Sequence, residues 1–260
     1  MASPSEQVSF ARAVPQQSKN YAEAKQSTAN YKGKTNSNTN PEYINAGVLV
    51  PVFLKEGSLH TLLTLRSEQL PTHKGQVAFP GGKQDDDDKD IVATALREAQ
   101  EEVGLPPEIV EVIAVLSPVI SRARDKVMYV YPVIGILKTQ FDLVINNSEV
   151  QTTFDVPLEL FLLQASHRRF NMTFKGRTFG VDGFDYETSE GGHLNKSLRF
   201  HIWGITASIC LHVAIVALNK LPEFELAEDY SELMQYITEL NVCENESKPR
   251  SSQDIIKAKF

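Results

Sequence analysis

An α/β sandwich built on a mixed sheet is predicted for this chain, and three observations predict it. Strand-type apolar runs recur between residues 43 and 201. Helix-periodic segments are interleaved with them at 91–103, 206–220 and 227–240. Glycine and proline punctuate the joins. The 260 residues suffice for one sizeable domain with tails. The expected boundaries are a disordered tail over 1–42, a domain over 43–240 and a flexible tail over 241–260.

The elements follow in order. Residues 1–42 are rich in Ser, Asn, Gln, Thr and Lys, with few apolar anchors to offset the cost of ordering them. Residues 47–54 (GVLVPVFL) and 59–65 (LHTLLTL) read as strands around a turn at 55–58, so they form a hairpin. A short strand is expected at 77–79. A helix spans 91–103 and is stopped by Gly104 and Pro106-Pro107. Residues 110–120 and 127–137 read as two more strands, with Pro132 at an edge or bulge because proline cannot donate to a ladder. Residues 146–156 lead into a short helix over 157–162. Alternating residues at 168–201 predict strands joined by a loop near 189–194. Helices follow at 206–220 and 227–240. The acidic helix covers one face of the sheet and the later helix the other.

Composition excludes some functions. A net charge of −7 argues against a general nucleic-acid binder, although metal ions can bridge an acidic protein to a phosphate substrate. Cys210 and Cys243 lack metal-site spacing and read as reduced thiols. Residues 1–20 hold no apolar run of the secretory kind. The apolar stretch 202–218 includes His212 and falls short of the ~20 residues that span a bilayer, so it reads as a buried helix. His201 and His212 are expected to be packed rather than ligating.

The helix over 91–103 carries the chemistry. At about 100° per residue, Glu98, Glu101 and Glu102 fall on one face, and Val92, Leu96, Ala99 and Val103 on the opposite face. Like charges three and four residues apart are destabilising in a bare helix, so the cluster implies a compensating cation. Oxygen-only ligands select a hard one, Mg²⁺ or Mn²⁺.

This stretch resembles the signature of the Nudix hydrolases, G-x5-E-x7-R-E-U-x-E-E-x-G-U. Arg97, Glu98, Ala99, Glu101, Glu102, Gly104 and Leu105 match it. Gly82 lies fifteen residues before Arg97, one more than in the general pattern. The upstream acid is therefore open among Asp85, Asp86, Asp87, Asp88 and Asp90, with Asp88 preferred. The rest of the DDDDK run reads as a solvated loop. The resemblance implies a Nudix-like α/β/α sandwich and hydrolysis of a diphosphate linked to another group. It implies Glu98 and Glu102 as metal ligands and Glu101 as a further ligand or base. Arg97 would brace a glutamate, Glu101 being four residues on.

Residues 62–82, LLTLRSEQLPTHKGQVAFPGG, resemble the coenzyme A diphosphatase subgroup through Leu62, Leu63, Thr64, Arg66, Ser67, Gly75, Phe79, Pro80, Gly81 and Gly82. The longer loop is also typical of that subgroup. The resemblance places Arg66, Ser67, Gly75, Phe79, Gly81 and Gly82 on the substrate side. One position departs from it: Pro71 stands where the subgroup has a second arginine, and Arg66, His73 or Lys74 would have to compensate. Glu149 resembles an acid that lies ahead of the Pro-Leu segment and would serve as an extra acid or base. Trp203-Gly204-Ile205-Thr206 resembles the subgroup's anchor for the last large helix. The implied reaction takes coenzyme A, or its acyl or oxidised derivatives, to 3′,5′-ADP and 4′-phosphopantetheine or its acyl form. Rival readings are another Nudix substrate (ADP-ribose, NADH or an mRNA cap) and a non-catalytic coenzyme A sensor. Ala258-Lys259-Phe260 resembles a peroxisomal import tripeptide, which implies an import receptor as partner and the peroxisome as location, with the cytoplasm as alternative. No membrane partner is expected.

Overall fold

The structure is a computed structural model and describes residues 42–123, 126–139, 141–174, 177–188 and 197–226. Residues 1–41, the loop near 189–194, the helix expected at 227–240, Cys243 and the terminal tripeptide lie outside these residues. The chain divides into two compact units. Of the described residues, one unit comprises those in 42–55 and 60–155, and the other those in 56–59 and 156–226.

The first unit is built on an eight-stranded mixed sheet whose central path is β3-β2-β1-β7-β5. β1 (Glu42–Lys55) and β2 (Ser58–Arg66) are neighbours, as the hairpin reading requires. Glu56 and Gly57 between them both take positive φ, 51° and 81°, the backbone pattern of a tight hairpin turn. β3 (Val77–Ala78) pairs with β2, and β4 (Gly81–Lys83), not expected from the sequence, pairs antiparallel with β1 at Ala46, Gly47 and Val48. β7 (Lys126–Leu137) runs parallel to β1 from Glu42↔Lys126 to Val52↔Ile136. β8 (Val150–Pro157) pairs with β2.

Two expectations are corrected here. The run 110–120 is not one strand: it breaks at Leu116-Ser117-Pro118 into β5 (Val110–Val115) and β6 (Val119–Ala123), both antiparallel to β7. Pro132 is on neither an edge strand nor a bulge. It lies inside β7 opposite Val48, and the ladder's bulge is on β5 between Val112 and Ala114. β6 pairs with residues 126–130 of β7 and β5 with residues 133–137, so Pro132 falls at the switch between them. Its carbonyl accepts from the Leu116 N–H at 2.9 Å. A strand residue's N–H and C=O point the same way, so the donor that proline lacks would face this crossover, where no ladder partner is required.

The acidic helix α1 (Ile91–Val103) occurs where its pattern placed it. The Asp90 carboxylate caps it by accepting from the Ala93 N–H at 2.9 Å, and Gly104 ends it with φ 70°. It packs on β1 at Gly47, where a Cβ would stand 2.7 Å from the Ile91 carbonyl oxygen and 3.2 Å from the Ala95 nitrogen. Ala95, Ala99 and Val103 are buried there with Leu49, Leu62, Leu105, Val110, Val133 and Val150. This close seat fixes where every side chain of α1 points.

The second unit holds a three-stranded antiparallel sheet, β9 (His167–Phe174), β10 (Arg177–Thr188) and β11 (Leu198–Trp203). Its inner face buries Phe184 and Ile202, and Phe161, on the 3₁₀ helix Leu158–Leu162, meets Phe184 edge-on at 5.2 Å. The apolar segment forms α2 (Gly204–Leu218), which packs on that 3₁₀ helix and on β10 and β11. Nine of its residues are buried, as an all-round apolar helix requires. No helix of the described residues is long and apolar enough to cross a membrane. Burial lowers the His212 pKa to about 4, which fits a packed, neutral imidazole. His201 differs from expectation. It is exposed on the outer sheet face, with Nδ1 2.8 Å from Asp185 Oδ1, because its strand position points away from α2.

Candidate active site

The site forms where α1 crosses the β4 strand and the loop after β7. Glu102 is the innermost of the three glutamates, only 2% exposed. The two-face reading of the helix is corrected on this point: Glu102 shares the sheet-facing side with Ile91, Ala95 and Ala99, while Val92 and Leu96 are half-buried at its margin. The sheet reaches further around the helix than the apolar pattern implied. Glu102 Oε2 accepts from the Gly81 N–H at 3.2 Å, and Oε1 lies 3.6 Å from Arg66 Nη1. Burial outweighs both contacts and, with repulsion from Glu98 and Glu149, raises its pKa to about 7.

Glu98 sits one turn away beside Gly82, where any Cβ would stand on its carboxylate. Desolvation raises its pKa, Arg97 opposes the rise, and Glu101 and Glu149 add to it. Glu101 is the outermost of the three, its side chain 55% exposed. Arg97 ties the group together: Nη1 lies 3.1 Å from both Glu98 Oε1 and Glu101 Oε2. Its other nitrogens meet Asp88, with Nε 2.9 Å from Oδ1 and Nη2 2.9 Å from Oδ2. This forked pair holds the Asp88 carboxyl well below the usual carboxylate range. Asp88 therefore braces Arg97, which in turn braces two glutamates, while Asp85, Asp86 and Asp87 stay exposed. Asp90 is used as the helix cap.

The first-unit residues assigned to the substrate side fall into three groups. Arg66 is half-buried at the end of β2, next to Glu102, and its buried Nε has no hydrogen-bond partner among the described residues. Gly81 and Gly82 bring backbone up against the glutamates. At Gly81 a side chain would run into Gly47 and Val48 of β1, its Cβ 2.6 Å from Val48 Cα. Ser67, Gly75 and Phe79 have contacts within the architecture around them. The Ser67 N–H donates to the Glu149 carbonyl at 2.8 Å, and its hydroxyl accepts from Gln69. Gly75 turns the chain with φ 65°, and Phe79 is 3% exposed in the core. His73 is engaged with Gln76 at 2.9 Å, and Pro71 and Lys74 are exposed on the same loop.

Glu149 comes to the helix glutamates from a different part of the chain. Its charge raises the pKa of both Glu98 and Glu102, so all three share one field. Its Oε1 accepts from Asn146 Nδ2 at 3.2 Å. Asn146 was not singled out from the sequence. The only signal for it was the Asn-Asn-Ser-Glu run, a pattern suited to a side-chain-closed turn. Cys210 lies buried in α2, where burial raises its thiol pKa well above the usual value and leaves it unreactive.

Residues 44–174 match the NUDIX domain, so the family's region includes most of β1, the whole carboxylate cluster and Glu149. The chain is 40% identical over 182 residues to "Nudix hydrolase 15, mitochondrial" of Arabidopsis thaliana, covering 69% of this chain and 60% of that one. It is 39% identical over 187 residues to "Peroxisomal coenzyme A diphosphatase NUDT7" of Mus musculus, covering 72% and 76%. It thus spans about three-fifths of the length of the first of these relatives. A solved C. elegans Ap4A hydrolase complex aligns with 45% of this chain and 81% of its own, with TM-score 0.40 and 23% identity. The domain match, over the segment that carries Glu98, Glu101 and Glu102, and these identities place the chain in the NUDIX family.

Proposed function

We propose that this chain is a divalent-metal-dependent hydrolase that cleaves the diphosphate of coenzyme A and of its acyl or oxidised derivatives. The products are 3′,5′-ADP and 4′-phosphopantetheine or its acyl form. The observation that carries the reading is Glu102, a carboxylate buried beside Glu98 and Glu149 with its pKa raised to about 7. A protein that only needed a stable core would gain by an apolar residue there.

The donor set suits a hard cation in its chemistry: oxygen ligands only, two of them desolvated and mutually repelling. Glu98 and Glu102 would hold Mg²⁺ or Mn²⁺, with Glu101 as a further ligand. Among the described residues no three acidic, histidine or cysteine side chains converge tightly enough to enclose an ion as they stand, and Arg97 contacts both Glu98 and Glu101. When bound, the metal would neutralise charge on the diphosphate oxygens. The chain's own groups do the rest. Arg66, whose Nε has no hydrogen-bond partner among the described residues, binds a phosphate oxygen. Gly81 lets the backbone lie close against β1, and Gly82 leaves room for the Glu98 carboxylate. Glu149 takes a proton from the attacking water as the new P–O bond forms and the bridging P–O bond breaks. Asp88 and Arg97 keep the glutamates in place.

The choice of coenzyme A rests on the LLTLRS…FPGG resemblance and on the mouse relative, whose name carries that activity. The test is incubation with Mg²⁺ and a panel of coenzyme A, dephospho-coenzyme A, ADP-ribose and NADH, with products identified by mass and Glu102→Gln as control. Release of 3′,5′-ADP by the wild type alone supports the reading. Cleavage only of another nucleotide keeps the hydrolase and discards the substrate. Tight coenzyme A binding without turnover points to a sensor.

We further propose one domain over 43–240 with a tail on either side, and a peroxisomal location with an import receptor reading Ala258, Lys259 and Phe260. The mouse relative is named as peroxisomal, while the plant relative is named as mitochondrial. A fluorescent fusion that keeps these three residues at its end, compared with one lacking them, tests the location. Identical distributions would discard the tripeptide's role.

A further inference from the structure

The loop between β7 and β8 is fastened to the last turn of α1 at two points, where the Val144 N–H donates to the Val103 carbonyl at 3.0 Å and at Asn146. The Asn146 backbone N–H donates to the Glu102 carbonyl at 2.9 Å, which locks the loop to the last turn of α1. Its carbonyl accepts from the N–H groups of Glu149 at 3.0 Å and Val150 at 2.9 Å, which closes the turn and starts β8. Its side-chain oxygen accepts from the Ser148 N–H at 3.2 Å and the Ser148 hydroxyl at 2.6 Å. That leaves its amide nitrogen, which donates to Glu149 Oε1 at 3.2 Å. On the other side, the Ser67 N–H holds the Glu149 carbonyl at 2.8 Å. The main chain of Glu149 is thus fixed by β2 and by the turn. Among the described residues, the hydrogen bond to its carboxylate comes from Asn146.

We infer that Asn146 is a positioning residue: its side-chain amide aims the Glu149 carboxylate at the space beside Glu98 and Glu102. Without that donor the carboxylate would turn away from its two negatively charged neighbours, since all three repel one another. An asparagine suits the task because its oxygen can close the local turn while its nitrogen, set by the same amide plane, faces Glu149. The inference rests on the proposal that Glu149 takes part in the reaction.

Asn146→Asp separates the two halves of the side chain. It keeps an oxygen for Ser148 and removes the donor to Glu149. Ser148→Ala does the reverse, loosening the turn while leaving that donor in place. The wild type, Asn146→Asp, Glu149→Gln, the double variant and Ser148→Ala would be assayed with Mg²⁺ on whichever of coenzyme A, dephospho-coenzyme A, ADP-ribose and NADH the wild type cleaves. The expected result is a kcat loss of roughly 10- to 100-fold for Asn146→Asp with KM little changed. Glu149→Gln should lose at least as much, the double variant no more than Glu149→Gln, and Ser148→Ala less than about twofold. Additive losses in the double variant, or a Ser148→Ala loss equal to that of Asn146→Asp, would overturn the positioning role while leaving Glu149's part intact. A fully active Glu149→Gln, or a wild type that cleaves none of the four, would overturn Glu149's part and the inference with it.

Discussion

Replacing Glu102 with glutamine should stabilise the metal-free protein at alkaline pH and leave it unchanged in acid. Glutamine is close in shape to the protonated acid and can still accept from the Gly81 N–H, so the variant mimics Glu102 with its charge removed. The folded-state pKa is raised from 4.5 to about 7. A carboxyl with a raised pKa favours folding while protonated, so its contribution is fully present below 4.5 and is lost as pH climbs to 7. The difference of about 2.5 units, at ~1.36 kcal/mol per unit, makes ionised Glu102 a burden of up to about 3 kcal/mol above pH 7. The wild-type curve alone will not display this cleanly. Burial of His212 lowers its pKa to about 4, so that histidine destabilises the fold as pH falls from 6.5 to 4, with the opposite slope over nearly the same window. The diagnostic quantity is therefore the difference between the two proteins. Urea unfolding in EDTA should give equal stabilities at pH 4.5 and a gap opening to about 3 kcal/mol in favour of Glu102→Gln at pH 8. Saturating Mg²⁺ at pH 8 should raise the wild type and have a much smaller effect on the variant. A gap that stays constant from pH 4.5 to 8, or a variant stabilised by Mg²⁺ as much as the wild type, would refute the reasoning.

Four further outcomes are expected. Gly82→Ala places a methyl on the Glu98 carboxylate and should cost at least tenfold in kcat while changing the melting temperature little, as measured by turnover beside thermal unfolding. Asp88→Asn removes the charge that anchors Arg97 and should lower turnover and weaken Mn²⁺ binding in a titration; unchanged binding would show that Arg97 holds its glutamates alone. Gly47→Ala drives a Cβ to within 2.7 Å of the Ile91 carbonyl and should destabilise the fold by about 1–3 kcal/mol in urea. His212→Leu should remove much of the acid-side loss between pH 6.5 and 4, up to about 3 kcal/mol, when compared with the wild type.

Much of the fold could be read from local signals. The α1 limits follow from a periodic apolar pattern and a closing glycine, which act within one or two turns of the helix, whereas the Asp90 cap came from the structure. The β1–β2 hairpin was likewise visible from its turn. What pattern alone could not place depended on neighbours distant in sequence. Pro132 sits within a strand because two different strands meet at that point, and the break at Leu116-Ser117-Pro118 is what brings them there. Glu98, Glu101 and Glu102 were legible as a charged group because helical spacing puts them together. Their separate environments were not: a buried Glu102, an intermediate Glu98 and an exposed Glu101 reflect how deeply α1 sinks onto Gly47 and β4.

The sequence by itself therefore determined the family and the acidic helix and offered the residues proposed for the chemistry, since those depend on residue type and near spacing. Only the tertiary structure decided what surrounds each of them. Asp88 became the brace of Arg97, Glu149 joined the helix glutamates, and Asn146 linked the two segments, because chain folding sets the contacts and desolvation between residues nine to about fifty positions apart.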